Sequence, residues 1–277
     1  MKKHFLNVAT IILIAVTILV FVTGCGRQSQ TANDDKVIKF ASHNFKVYAD
    51  TTKVLAQEVE KLGYKLDYVL LADNTQCNQA VVSGEYFANY HQHIPFMEAF
   101  NQSHNANLAP AFKVFVDRAG IFSKKYKSLK DLPDKAKITI DNNAGNSFRG
   151  IVMLADAGII KLKDGVNPVN VTTKDIAENP KHIQFVEVDY TMLARALEDA
   201  DAGFLYATVA VEFGLDINKD PLIIEREELQ APDIITVRQE NVGSEKAKIL
   251  EKAYKTDAMK QAFKDAFDGK DVLLPAW

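Results

Sequence analysis

The sequence predicts an α/β protein built as two lobes with a cleft between them, and three observations carry that prediction. Strand-like runs rich in β-branched and aromatic residues alternate with amphipathic stretches, about every 10–15 residues. The alternation restarts near residue 113, so the chain reads as two βαβ-rich blocks without any visible internal repeat. Late strand-like runs at 222–224 and 234–237 precede two terminal helices, which leaves the C-terminal part free to rejoin the first block.

Residues 37–41 (Val-Ile-Lys-Phe-Ala) read as a buried strand. Residues 47–62 read as a helix, because Val54, Leu55, Val59 and Leu62 share one face. Gly63 stands where a helix C-terminus takes a left-handed residue. A strand at 66–71, a helix at 74–83 stopped by Gly84, a strand at 86–90 and a helix at 94–103 complete the first block. In the second block, 113–116 and 120–122 are strand-like, 129–133 is a turn or short helix, and 136–140 is a strand. Residues 147–157 form a helix closed by Gly158, followed by a strand at 183–188 and a helix at 190–197. A strand at 202–206 and a helix at 208–213, ended by Gly214, lead to the late strands and to helices at 245–255 and 258–267. Such alternation implies mostly parallel sheets. Ligands of these sheets sit outside the carboxyl ends of the strands. The loops after Ala41, Leu71, Tyr90, Ile140, Val188 and Tyr206 are therefore the candidate ligand loops.

The first residues have the form of an export signal: a basic start at Lys2-Lys3, an apolar run over 5–22, then small residues. Val22-Thr23-Gly24-Cys25 resembles the lipobox of bacterial lipoproteins, which implies cleavage after residue 24 and acylation of Cys25. The expectation is a signal peptide over 1–24 and a lipidated, flexible tether over 25–36, since 26–36 lacks aromatic and β-branched aliphatic residues. Lobe 1 is expected to span 37–115 plus 233–277, and lobe 2 to span 116–232. Without the leader, Lys plus Arg is 31 against 36 Asp plus Glu, a net charge of −5. That balance argues against nucleic acid and against a polybasic membrane patch. With Cys25 acylated, Cys77 is alone, so neither an intrachain disulfide nor a cysteine metal cage is expected, and Cys77 reads as a packed helix residue.

Four segments then resemble one family. Residues 84–96 (Gly-Glu-Tyr-Phe-Ala-Asn-Tyr-His-Gln-His-Ile-Pro-Phe) are similar to G-E-x-D-A-N-Y-F-Q-H-x-P-Y. Residues 124–133, 157–165 and 175–181 are similar to S-K-K-x-K-S-L-x-D-L-P, A-G-L-I-K-L-K-D-G and D-I-x-E-N-P-K, in the same order along the chain. On these motifs the chain is identified as a member of the NlpA/MetQ family of methionine-binding lipoproteins. The resemblance implies a two-lobed, type II periplasmic-binding-protein-like fold with the ligand in the inter-lobe cleft. It also implies a lipid anchor on the extracytoplasmic face of the cell membrane and an ABC permease and ATPase as partners.

The resemblance also nominates site residues. Asn146 and Arg149 match the family's N-x-x-R, with Arg149 expected near a helix start as a carboxylate clamp. His93 matches a ligand-contacting histidine, and His91 stands where the family has phenylalanine. Either His91 and His93 are hydrogen-bonded or ligand-contacting, or they begin a metal site, for which no third ligand at proper spacing is evident. Tyr90 and Phe96 enclose the ligand side chain or, for Tyr90, belong to the core. Asn74, Tyr206, Thr208 and Asp233 occupy ligand-contacting positions whose family residues differ. A carboxylate at Asp233 pairs with a ligand ammonium, or is a surface loop acid. Asp189 reads as an N-cap or a site residue.

These departures point to an α-amino acid or dipeptide in a pocket less apolar than the family's, and no cofactor or metal is expected. A catalyst on this fold would need a nucleophile–base pair or a metal constellation. Neither G-x-S-x-G, H-E-x-x-H nor a Gly-rich phosphate loop is present. A binding protein is therefore expected. A surface lipoprotein that senses or adheres, having lost methionine transport, remains the alternative.

Overall fold

The computed structural model describes residues 35–267 and 274–275, so the leader, Cys25 and nearly all of the tether lie outside the described residues. The first block runs β1 (Val37–His43), α1 (Lys46–Lys61), β2 (Lys65–Leu71), α2 (Asn74–Val82), β3 (Ala88–His93), α3 (Ile94–His104) and β4 (Leu108–Val116). After Asp117 and Arg118 the chain enters β5 (Ala119–Phe122), β6 (Lys137–Asp141), α4 (Ala144–Asp156), β7 (Lys161–Leu162) and β8 (Ile176–Glu178). It continues through β9 (Gln184–Val188), α5 (Leu193–Ala196), β10 (Ala202–Tyr206), α6 (Ala207–Glu212) and β11 (Pro221–Ile224). A second passage over 225–231 leads to β12 (Pro232–Arg238), α7 (Glu245–Tyr254), α8 (Asp257–Ala266) and the short β13 (Leu274–Pro275).

Two sheets result. One has the order β13-β4-β12-β3-β1-β2, the other β11-β5-β10-β6-β9, and β7 pairs with β8 alone. The expectation of mostly parallel sheets is corrected here, because both are mixed. β12 runs antiparallel to β3 and β4, and β5 antiparallel to β10 and β11. The cause is connectivity. β5 and β12 each enter their sheet directly from the other one, without the long helical crossover that parallel neighbours require. The remaining neighbours, β1 with β2 and β3, and β6 with β9 and β10, are parallel.

Local chemistry sets most boundaries. α1 buries Val47, Thr51, Leu55 and Val59 on one face and ends at Gly63, whose φ of 77° lets its N–H reach back to the Glu60 carbonyl. Asp73, Ser244 and Thr256 cap α2, α7 and α8 by accepting from the third backbone N–H onward. α4 starts at residue 144 rather than 147, because Asn143 accepts from Gly145 N and supplies the cap. Arg149 is consequently the sixth residue of that helix, not its first turn. Asp189 is an N-cap: its carboxylate accepts from Thr191 N at 2.9 Å. β4 begins at Leu108, five residues before the expected start, because β12 pairs with it along that length.

The terminal helices return to the first sheet. Tyr254 of α7 meets Tyr90 and Phe112 at ring distances of 5.7 and 5.5 Å, and Phe263 of α8 meets Phe115 at 5.3 Å. Fully buried side chains such as Phe40, Leu55, Phe115 and Tyr254 anchor this packing, each contributing about 1.5–3 kcal/mol. The two sheets are joined by the passages 117–118 and 225–231, and the groove beside these passages holds the site.

Candidate functional site

Each loop nominated by the strand-end rule sends a residue to one cavity between the sheets. Tyr48 follows β1, Asn74 follows β2, and His91, Gln92, His93 and Phe96 come from the end of β3 and its helix. Asn146 follows β6, Tyr190 follows β9, and Tyr206 ends β10. Asp117 and Asp233 complete the wall, one from each passage between the sheets. The cavity leaves about 20 Å³ for the centres of water-sized spheres, close to the least that one buried water needs. A solute therefore enters only when the lobes part.

Three contacts hold the lobes together across this groove. Phe45 stacks on Tyr190 at 5.4 Å. Glu212 accepts from Lys46 N, the first N–H of α1, and so caps a helix of the other lobe. Gly145 packs so closely on Pro95 and Phe96 that a Cβ there would lie 2.8 Å from the Pro95 carbonyl oxygen.

Burial governs the electrostatics. Asp233 is 2% exposed, and its Oδ2 accepts from Tyr48 Oη at 2.8 Å. Burial, with the negative charge of Asp117 added, pushes its pKa up to about 8 despite that hydrogen bond. Asp117 accepts from Thr208 N at 3.2 Å and Thr208 Oγ1 at 2.6 Å. Burial still pushes it up to about 7, against these bonds and Arg149. Asp141 accepts from Asn143 N and Asn146 Nδ2, both at 2.8 Å, and burial raises it to about 6. The histidines move the other way. Burial lowers His43 to about 4, burial and the Arg149 charge lower His93 to about 3, and burial and His43 hold His91 well below its ordinary value. His93 Nδ1 accepts from Phe96 N at 3.2 Å, so the neutral ring carries its proton on Nε2.

Arg149 is fully buried and spent inside the protein. Its Nε donates to Glu225 Oε2 at 2.8 Å, its Nη2 donates to Glu225 Oε1, and Nη2 also donates to the Asp117 carbonyl at 2.9 Å. Burial works against its charge, but Glu225, Tyr206 and Asp117 outweigh burial and the pKa is raised. The guanidinium lies 4.7 Å from the Tyr206 ring centroid. Glu225 Oε1 also accepts from Ala119 N at 2.8 Å. One ion pair thus binds α4 of the second lobe to both passages between the lobes.

Seven of the ten residues nominated from sequence line the cavity: Asn74, His91, His93, Phe96, Asn146, Tyr206 and Asp233. Arg149, Tyr90 and Thr208 are not among its lining residues. Tyr90 is fully buried among Tyr48, Phe115 and Tyr254 in the first-lobe core. Thr208 sits behind the wall, holding Asp117 and meeting Tyr190 Oη at 3.0 Å. His91 Nε2 lies 3.2 Å from Asn78 Oδ1, within an amide network that includes Asn89 and Gln92. Among the described residues, no group of His, Cys, Asp or Glu has the arrangement of a metal site. Asp117, Tyr48, Gln92 and Tyr190 were not nominated. The strand-end rule points to the loops that carry Tyr48 and Tyr190, whereas Asp117 is visible only once the passage between sheets is known.

Comparison with known proteins agrees with this architecture. A methionine-binding lipoprotein, MetQ, of Bacillus subtilis (strain 168) is 33% identical over 279 residues, 99% of each chain. A solved periplasmic substrate-binding protein of an ABC transporter from Coxiella burnetii superposes with a TM-score of 0.80 at 28% identity, covering 86% of this chain and 100% of that one. A solved nutrient binding protein from Burkholderia cenocepacia, bound to methionine, has a TM-score of 0.79 at 31% identity, covering 87% of this chain and 100% of that one. The model of the NlpA lipoprotein family matches residues 42–277. Two mixed sheets joined by two passages, a cavity at the strand ends and this match across nearly the whole chain place the protein in the NlpA lipoprotein family.

Proposed function

We propose that this protein is the substrate-binding lipoprotein of an ABC importer and that it holds a small amino-acid-type ligand in the cavity between its lobes. The observation that carries the reading is convergence: six strand-end loops from two sheets meet at one aromatic and polar cavity, in a chain matching a methionine-binding lipoprotein over 99% of both lengths. A lipid on Cys25 would tether it to the outer face of the membrane through the segment 26–36, leaving the lobes free to meet a permease.

Function then follows from closure. A ligand that contacts both lobes stabilises the closed form, while equal affinity for open and closed forms would shift nothing. Phe96 of lobe 1 with Tyr190 and Tyr206 of lobe 2 offer ring surface to an apolar or thioether side chain. Asp233 and Asp117 offer acceptors to an ammonium. Arg149, fully engaged with Glu225, ties the passages about which the lobes would turn.

Thermal unfolding of the full-length protein in detergent, after unfolding and refolding to strip carried-over ligand, tests this reading. The panel holds L- and D-methionine, the other amino acids, and methionine-containing dipeptides. A ligand at about 100 times its dissociation constant adds roughly 2.7 kcal/mol of stability, a clear shift of the melt. A panel with no shift would reject the importer reading.

A further inference from the structure

We infer that the cavity selects a cationic amine, a ligand with net positive charge, over a zwitterionic amino acid, with Asp233 and Asp117 as its specificity-determining anions. The inference rests on the reading above, that this cavity is the ligand site, and names the charge class of its occupant.

Charge balance comes first. Three buried carboxylates, Asp117, Asp233 and Glu225, surround one buried guanidinium, Arg149. Glu225 already takes that guanidinium bidentately, through Nε and Nη2. Among the described residues no Lys or Arg forms an ion pair with Asp117 or Asp233. Both line the cavity, whereas Arg149 does not. A ligand carboxylate would therefore enter a wall with two anions and no exposed cation, and the imidazoles of His91 and His93 are held neutral by burial.

A second, independent observation is the state of the wall's other polar atoms. The Tyr206 hydroxyl, on a residue 3% exposed, has no hydrogen-bond partner in the protein, and neither has Asn74 Oδ1. Both line the cavity. The amide oxygen can only accept and the phenol can accept, so an N–H-rich ligand satisfies them together with the carboxylates. The rings of Tyr48, Phe96, Tyr190 and Tyr206 present π surface to the same space, which attracts a cation further. A buried anion left unpaired is costly, and an ammonium that pairs with it recovers that cost.

The test ranks ligand charge at nearly constant shape. Dissociation constants are measured by calorimetry at about pH 7 on the full-length protein in detergent. The probes are L-methionine, L-methioninamide, N-acetyl-L-methionine and cadaverine. The expected result is that L-methioninamide or cadaverine binds at least about tenfold more tightly than L-methionine, and that N-acetyl-L-methionine does not bind. Asp233→Asn, which keeps an acceptor for Tyr48, should narrow that preference by about tenfold, and Asp117→Asn should narrow it too. L-methionine binding as tightly as the cations, or more tightly, would overturn the charge inference and leave the importer reading standing. Binding by none of the probes would remove the importer reading and this inference together.

Discussion

Replacing Glu225 by Gln tests the ion pair that joins the lobes. The carboxylate takes two N–H groups of a fully buried guanidinium and the N–H of Ala119, the first residue of β5. The neutral amide leaves the Arg149 charge without its counterion, and turns one NH₂ toward donors that need an acceptor. Breaking one side of a buried pair costs about 3–5 kcal/mol. For a chain of this size each kcal/mol lowers the melting temperature by about 2–4 °C, so the loss is on the order of 6–20 °C. Urea unfolding followed by fluorescence and circular dichroism would give the free energy directly. The partner experiment is the double variant Arg149→Met with Glu225→Leu. Removing both charges takes away the unpaired ion, so the two substitutions should be non-additive, with a coupling of about 2–3 kcal/mol. A Glu225→Gln protein within about 0.5 kcal/mol of the parent, which is the scatter of inert surface changes, would refute the argument. Strict additivity in the cycle would refute it as well.

Three further outcomes are expected. The ligand-free protein should lose stability between about pH 6.5 and pH 8, because Asp233 and Asp117, raised to about 8 and 7, stay protonated in the folded state after the unfolded chain has released those protons. Below that window Asp141 acts in the same direction, the lowered His43, His91 and His93 act against it, and the Glu225–Arg149 pair stays ionised on both sides. At 1.36 kcal/mol per unit, Asp233 alone supplies about 2 kcal/mol over the window, and a melt that rises from pH 6.5 to 8 would contradict the assignment. Gly145→Ala should weaken ligand binding by about tenfold with no loss of apo stability, since its Cβ meets Pro95 and Phe96 only across the closed groove, and unchanged affinity would show that the groove does not close this far around its ligand. Gly203→Ala should cost about 1–3 kcal/mol by overpacking, because its Cβ would fall 2.2 Å from Thr139 Oγ1; adding Thr139→Ala should restore most of the loss in urea unfolding, and no recovery would place the strain elsewhere.

Much of the site was legible because its signals are local. Cap residues, glycine stops and apolar periodicity place the helices and strands, and the strand-end rule then selects six loops, all of which reach the cavity. The wrong start of α4 came from Asn143, whose capping role needs no apolar residue beside it. Tyr90 was ambiguous for a different reason. All six residues of β3 are buried, so a pattern of exposure could not say which face meets the core and which meets the groove.

The sequence by itself determined the α/β class, the two blocks, the candidate loops and the departures at Asp233, Tyr206 and Thr208, since each depends on residue type and short-range spacing. Tertiary structure alone decided the partners of the buried charges. Arg149 and Glu225 are 76 residues apart, and Tyr48 and Asp233 are 185 apart, with nothing in either segment to name the other. Asp117 looks like an ordinary acid after a strand until the chain crosses between sheets at that point. The physical reason is that desolvation and pairing are properties of three-dimensional surroundings. A carboxylate becomes a buried anion, a proton carrier or a counterion only when the lobes close over it.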